Sequence, residues 1–393
     1  MNDFRVTLQI FSGSFLKKET SYSEIEQKLL SVLPRLPVNK VLMGWALDKT
    51  IYEKTAEFLA KRDIDFYLWF PVFSETGALR ELSALVDFTG QRIESRKGHK
   101  NEDFSFCCPH NPQNTEKILD IFEQEFASIP FNGVFLDRIR YPSFANKHEP
   151  GSKSVLTCFC PHCIEFYERE NFNIEQLRNV LSRSTQLGIT EYRDNGEYVF
   201  NDPAIACFFS LKASNISKSL RRLCGYFREK NYSIGLDVFA PFLSAFVGQN
   251  LKTLSGLCDF MKPMMYRVTN APAGLPFETE ALLGETNCAS DSRRLEFYKI
   301  LGINPKTIPF DLTFTVKELK NLSFSSACDV YAGLEINKIE NIAEANPDYI
   351  EKTIEAYAQT GIQGLALSWN LLNMPEENLA KAAETIKLLT KQK

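Results

Sequence analysis

The sequence predicts an α/β fold, a (β/α)₈ TIM barrel, and three observations lead there. Runs of β-branched and aromatic residues alternate eight times with amphipathic helices, the order of a parallel sheet. Eight such units suit a closed barrel better than an open sheet. No Gly-x-Gly-x-x-Gly turn follows the first strand, as a dinucleotide-binding fold would require. The 393 residues exceed the usual domain length, but barrels lengthen readily through loop insertions.

The elements follow in order. The first strand is expected over Phe4–Phe11, and a helix capped in the Ser21/Ser23 region over Tyr22–Leu33. Lys40–Leu47 reads as the second strand, followed by a helix over Thr50–Lys61 with Ile51, Phe58 and Leu59 on one face. Asp65–Phe73 is the third strand, Asn114–Ala127 its helix and Gly133–Ile139 the fourth strand. A helical, cysteine-containing insertion over 144–230 is expected next, with helices near Ile164–Glu170 and Ala204–Glu229. Strands five to eight are expected over Ser233–Phe239, Phe260–Tyr266, Asp329–Glu335 and Gly364–Trp369, the last two followed by helices over Pro347–Gln359 and Glu376–Leu389. No low-complexity linker separates the units, so 1–393 reads as a single domain with long insertions after strands three, four and six.

Hydrophobic content of 44% and charged content of 24% are ordinary for a globular chain, and a net charge of −4 argues against nucleic acid or an anionic membrane as partner. No window approaches the roughly 20 apolar residues that span a bilayer. The opening Met-Asn-Asp-Phe-Arg lacks the pattern of a secretory signal, so a cytoplasmic location is expected. In a reducing compartment most of the 10 cysteines would be thiols.

Barrel enzymes carry their chemistry where the strands end. Here those ends offer Trp45, Trp69, Asp137, Arg138, Arg140, Tyr141, Asp237, Lys262, Tyr266, Glu335, Asn337, Trp369 and Asn370. All 3 tryptophans fall in this set. Each alone suits core packing, but together they make flat apolar faces for sugar rings, with polar neighbours to bind hydroxyls. Trp45, Trp69, Arg140, Tyr141, Lys262, Tyr266, Asn337 and Trp369 are therefore the candidate substrate-binding residues of a carbohydrate site.

Three apolar strands end in an acid: Gly133-Val-Phe-Leu-Asp137, Gly-Leu-Asp237 and Gly-Leu-Glu335. A carboxyl in that place stands at the barrel mouth or is costly to bury. A structural ion pair with Arg138 or Arg140 is the competing account of Asp137. Glycoside hydrolysis needs two carboxyl groups, one a proton donor and one a nucleophile or base, so Asp137, Asp237 and Glu335 are the catalytic candidates. Arg140 and Tyr141 are expected to hold Asp137 as an oriented carboxylate, and Lys262 and Tyr266 to serve a neighbouring acid. No catalytic cofactor is needed.

The segment Gly133-Val-Phe-Leu-Asp-Arg-Ile-Arg-Tyr-Pro142 resembles that of glycoside-hydrolase-like barrel families. Those families often carry a Cys-Pro-x-Asn-Pro-like segment before it and a Cys-x-Cys-Pro-x-Cys segment after it. Here Cys107-Cys108-Pro109-His110-Asn111-Pro112 and Cys158-Phe159-Cys160-Pro161-His162-Cys163 occupy those places, so the match covers roughly residues 105–167. The resemblance implies a hydrolase acting on a saccharide, with Asp137 the leading catalytic residue. The acids on strands four, five and seven also follow the order of the α-amylase-like clan, where the strand-four aspartate is the nucleophile. Asp237 departs from that clan's usual glutamate.

Cys158, Cys160 and Cys163 form a tight knot, and Cys108 lies on the preceding loop. Four thiolates so placed would complete a tetrahedral structural zinc site. Reduced thiols, or a disulfide from Cys107 or Cys108 to the knot, are the other readings. The knot's spacing does not suit an iron–sulfur radical enzyme. Three functions stand side by side: a glycoside hydrolase, a saccharide-binding barrel without catalysis, and a hydrolase using a cysteine-bound metal directly.

Overall fold

The computed structural model describes residues 4–11, 20–44, 46, 48–74, 82–93, 105–146, 156–183, 187–285, 291–304 and 310–391. Eight parallel strands close into a barrel: β1 (Arg5–Phe11), β2 (Val38–Gly44), β3 (Asp65–Pro71), β4 (Gly133–Asp137), β5 (Ser233–Phe239), β6 (Phe260–Met264), β7 (Asp329–Glu335) and β8 (Gly364–Ser368). Each pairs with its sequence neighbour, and β1 closes on β8 through Arg5↔Gly364 to Leu8↔Leu367. The predicted strands are all present.

The boundaries differ where local chemistry stops a strand. β4 ends at Asp137, two residues before the predicted Ile139, because Arg138 turns to φ 50°, a left-handed conformation that breaks the ladder. The helix after β3 begins earlier than expected, at Pro112, where proline suits the first turn and Asn111 caps it through Gln113 N–H. Helix Tyr22–Val32 carries the expected capping box between Ser21 and Glu24.

Between β4 and β5 lie helices Pro161–Arg169, Ile174–Arg183 and Pro203–Glu229 and the antiparallel pair Ile189–Tyr192/Tyr198–Phe200. Helices Leu275–Glu285, Asp291–Leu301 and Leu312–Ser325 separate β6 from β7. No described helix is long and apolar enough to cross a membrane.

The barrel is filled by Leu42, Tyr67, Phe135, Phe260, Tyr331 and Ala366, with Trp69 packed against them. Lys40 sits with this plug, its Nζ 5.7–5.9 Å from the Tyr67, Phe260 and Tyr331 rings and 3.5 Å from Asp65. Glycines make room for these rings. A Cβ on Gly235 would lie 2.2 Å from the Phe260 ring, and one on Gly133 2.3 Å from Tyr67. Gly133 and Gly235 therefore answer a packing need one or two layers below Asp137 and Asp237.

Candidate active site

Strand alternation sets the site. Residues two apart point to the same side, so Phe135 and Asp137, Gly235 and Asp237, and Phe260 and Lys262 share the inward rows of β4, β5 and β6. The ladders pair Leu136 with Leu236 and Asp237 with Lys262. Asp137, Asp237 and Lys262 thus stand side by side on three adjacent strands, with about 4.8 Å between neighbouring strands.

Asp137 is half-buried. Its Oδ2 accepts from Trp69 Nε1 at 3.0 Å and its Oδ1 from the Arg138 backbone N–H at 2.5 Å. The Arg138 guanidinium donates to Ser74 Oγ at 2.7 Å. The ion pair weighed for Asp137 is therefore replaced by an indole and an amide, which fix the carboxyl at the rim.

Asp237 is buried, and its Oδ2 accepts from Lys262 Nζ at 3.0 Å. The same ammonium donates to Tyr266 Oη at 2.9 Å and Gln9 Oε1 at 3.3 Å, so all three of its protons are engaged. Burial pushes the Asp237 carboxyl up to about 7, against the pull of Lys262 and with a further push from the charge of Asp137. Burial disfavours the Lys262 charge, but Asp237 and Tyr266 hold it above the ordinary lysine range. Burial also raises the Tyr266 phenol to about 12. Ser368 Oγ donates to Gln9 Oε1. Among the described residues, Asp237 Oδ1 and Gln9 Nε2 have no hydrogen-bond partner, leaving one acceptor and one donor unmatched.

Aromatic walls rise beside these groups. Trp69 meets Phe11 edge to face at 6.2 Å, and Tyr266 meets Trp369 at 6.1 Å. Asn337 positions Trp369: its Oδ1 accepts from the Trp369 N–H at 2.5 Å and the Asn370 N–H at 3.3 Å. Asn370 in turn exchanges hydrogen bonds with the Phe11 backbone at 3.1 and 2.9 Å, tying the end of β8 to the end of β1. Asn337 is buried, and its side chain is engaged with the backbone of Trp369 and Asn370. Trp45 lies outside the described residues, as do His99, His148 and Cys288.

Other expected site residues make different contacts. Glu335 is buried, and its Oε1 accepts from the Val268 N–H at 2.7 Å. Burial pushes it up to about 7, opposed first by the Val268 N–H and then by Tyr349 and Arg267, and its Oε2 has no hydrogen-bond partner among the described residues. The structure thus groups Asp137 with Asp237 and seats Glu335 against the loop after β6. Tyr141, expected to hold Asp137, is buried beneath helix Pro203–Glu229, where its Oη accepts from Asn215 Nδ2 at 3.3 Å. Arg140 donates to Tyr141 O at 3.0 Å and Asn146 Oδ1 at 2.9 Å, with its guanidinium between the Phe106 and Phe239 rings. Burial lowers Arg140 to about 10, and buried Glu278 is its strongest counter-charge, ahead of Asp137 and Asp237. It braces the wall behind the acids.

Gln9, Ser368 and Glu278 escaped the reading of strand ends. Gln9 had a signal: Thr7 and Gln9 are polar at alternate positions of an otherwise apolar strand, which marks an inward polar row. Glu278 comes from the β6–β7 insertion and gave none.

Cys108, Cys158, Cys160 and Cys163 are all buried, with their sulfur atoms within 4.8 Å of one another. Cys108 and Cys163 are 3.4 Å apart, and Cys160 and Cys108 3.6 Å. Hydrogen bonding from Cys108 lowers the Cys160 thiol below the ordinary thiol range, while bonding to Cys158 and Cys108 respectively holds Cys108 and Cys163 above it. His162 is exposed, and His110 packs on Phe166 at 4.8 Å.

No protein-family model matches the chain, and no curated protein matches it by sequence. Among solved structures it is similar to the PgaB (BpsB) glycoside hydrolase domain from Bordetella bronchiseptica, with TM-score 0.54 and 13% identity over 99% of this chain and 98% of that one. It is similar to alpha-L-fucosidase isoenzyme 2 from Paenibacillus thiaminolyticus, with TM-score 0.56 and 10% identity over 100% of this chain and 50% of the fucosidase. The spore cortex-lytic enzyme SleL from Bacillus megaterium shares 7% identity at TM-score 0.50, over 98% of this chain and 74% of that one. At these identities the likeness is one of fold: a barrel that glycoside hydrolases share.

Proposed function

We propose that this protein is a glycoside hydrolase in which Asp137 and Asp237 are the paired carboxyl groups, acting on a saccharide held between Trp69 and Trp369. The observation that carries the proposal is the placement of Asp237. It follows the last pair of the β4–β5 ladder, Leu136↔Leu236, close enough to Asp137 to feel its charge; burial raises its carboxyl to about 7, and its Oδ1 has no hydrogen-bond partner among the described residues. A carboxyl with its pKa near 7 keeps its proton in about half of the molecules at pH 7 and can donate it to a leaving oxygen. The carboxylate left behind is received by Lys262 at 3.0 Å. Asp137, oriented by Trp69 and the Arg138 amide, then attacks the anomeric carbon or activates water. Tyr266, Arg140 and Asn337 support this frame, and Gln9 offers a donor to a sugar hydroxyl.

The test is a panel of fluorogenic glycosides, α-L-fucoside among them, with Asp137→Asn and Asp237→Asn. Loss of a general acid is worth about 10²–10⁴ in rate. Asp237→Asn should lose far less on substrates whose leaving group needs no proton, whereas Asp137→Asn should lose on all. Wild-type rate should fall as pH rises through about 7, as Asp237 loses its proton. Full turnover by folded Asp137→Asn would defeat the proposal. The buried Asp237–Lys262 pair also favours a second reading, a saccharide-binding barrel, because an ion-paired acid is a poor donor. Calorimetric binding with no product after long incubation would select it.

A further inference from the structure

The cysteine quartet plays no part in the proposed chemistry. We propose that Cys108, Cys158, Cys160 and Cys163 bind one zinc ion as a tetrathiolate centre that clamps the loop after β3 to the insertion after β4. With Zn–S near 2.3 Å, a tetrahedron sets its sulfurs about 3.8 Å apart. The observed 3.4 and 3.6 Å separations, with all four sulfurs inside 4.8 Å, match a single ion. Iron–sulfur clusters place several iron atoms between their cysteines and need wider spacing.

The surroundings suit thiolates. The Val86 N–H points at Cys158 Sγ from 3.4 Å. Cys160 is the N-cap of helix Pro161–Arg169, and Cys163 lies in its first turn, where unpaired N–H groups and the helix dipole favour negative charge. Binding releases the four thiol protons and leaves a centre with two net negative charges. Burial lowers the Lys212 amine to about 7 and the nearby Cys158 acts the other way, so an anionic centre beside it would favour its charged form. It is fully buried on an apolar helix face, its Nζ 4.8 Å from the Tyr141 ring and donating to Phe246 O at 3.2 Å.

The clamp has a clear mechanical task. Cys108 belongs to the stretch that pairs with the segment after β3, through Cys107 N–H to Phe73 O and Cys108 N–H to Ser83 O, at 3.0 and 3.1 Å. The knot pairs with the same segment through Phe159 N–H to Val86 O at 2.8 Å. One ion would join both within a few residues of Ser74, the partner of Arg138.

The test begins with metal analysis of protein purified without chelator, which should give about one zinc per chain. Protein produced in cobalt-supplemented medium should show thiolate-to-cobalt charge-transfer bands and the intense visible bands of tetrahedral cobalt(II). Cys108→Ser and Cys163→Ser should each lose the metal, and Cys207→Ser, at an exposed position, should keep it. Should the first two fail to fold, the wild-type metal content and cobalt spectrum decide alone. Wild-type protein with only trace metal, or peptide mapping that finds Cys108 in a disulfide with the knot, would overturn the proposal.

Discussion

Glu335→Gln separates a buried structural acid from a catalytic one. The carboxyl is fully buried and rises from an ordinary 4.5 to about 7, chiefly because burial penalises its charge. A group raised in this way contributes stability that is fully present below 4.5 and is lost as pH rises through about 7. The whole gap is worth roughly 3 kcal/mol at about 1.36 kcal/mol per tenfold. At about pH 5 most of that stability remains, and at about pH 8 nearly all is gone. The glutamine variant keeps an acceptor for Val268 N–H but carries no charge, so this loss disappears. Relative to wild type, the variant should gain roughly 2–3 kcal/mol between those two conditions. Asp237 and Glu318, also raised to about 7 by burial, act equally in both proteins and cancel in the difference. Urea unfolding at the two pH values reads the effect directly. A difference between the proteins that stays constant with pH would refute the reasoning. The same preparation should hydrolyse any substrate found for the wild type at a similar rate, and a large loss of turnover would return Glu335 to the catalytic set.

Two further outcomes follow from the geometry. Trp69→Phe keeps the aromatic face and removes the indole donor to Asp137 Oδ2, so kcat/KM should fall about 10- to 100-fold, the worth of a hydrogen bond to a charged group; an unchanged kcat/KM on an identified glycoside would show that this contact does not orient the reacting carboxyl. Gly235→Ala forces a methyl group to within 2.2 Å of the Phe260 ring in the barrel plug and should cost about 1–3 kcal/mol by thermal unfolding, more if β5 must shift.

The barrel and much of its mouth were legible because period and order carry that information. Gly133-Val-Phe-Leu-Asp137 and Gly-Leu-Asp237 announce a strand, its direction and a charge at its end without any knowledge of neighbours. Spacing within the knot, together with one cysteine on the loop before it, was enough to name all four thiols that the fold brings together. Orientation past a strand's end was not legible. The left-handed turn at Arg138 reverses what Arg140 and Tyr141 face, and the sequence holds no glycine there to signal it. Glu335 ends its strand and Asp237 lies two residues before the end of β5, yet a loop 67 residues earlier supplies the N–H that captures Glu335. Lys262 was placed correctly as an acid's neighbour, but its three-way bonding to Asp237, Tyr266 and Gln9 depends on strands far apart in the chain.

The aromatic plug has a consequence for traffic through the molecule. With Tyr67, Phe135, Phe260 and Tyr331 filling the bore and Lys40 seated among their rings, the barrel is a cup with a solid floor. Among the described residues, these side chains close the bore along its axis. On the proposed function, a saccharide, the attacking water and the released fragments would all share the mouth above Asp137.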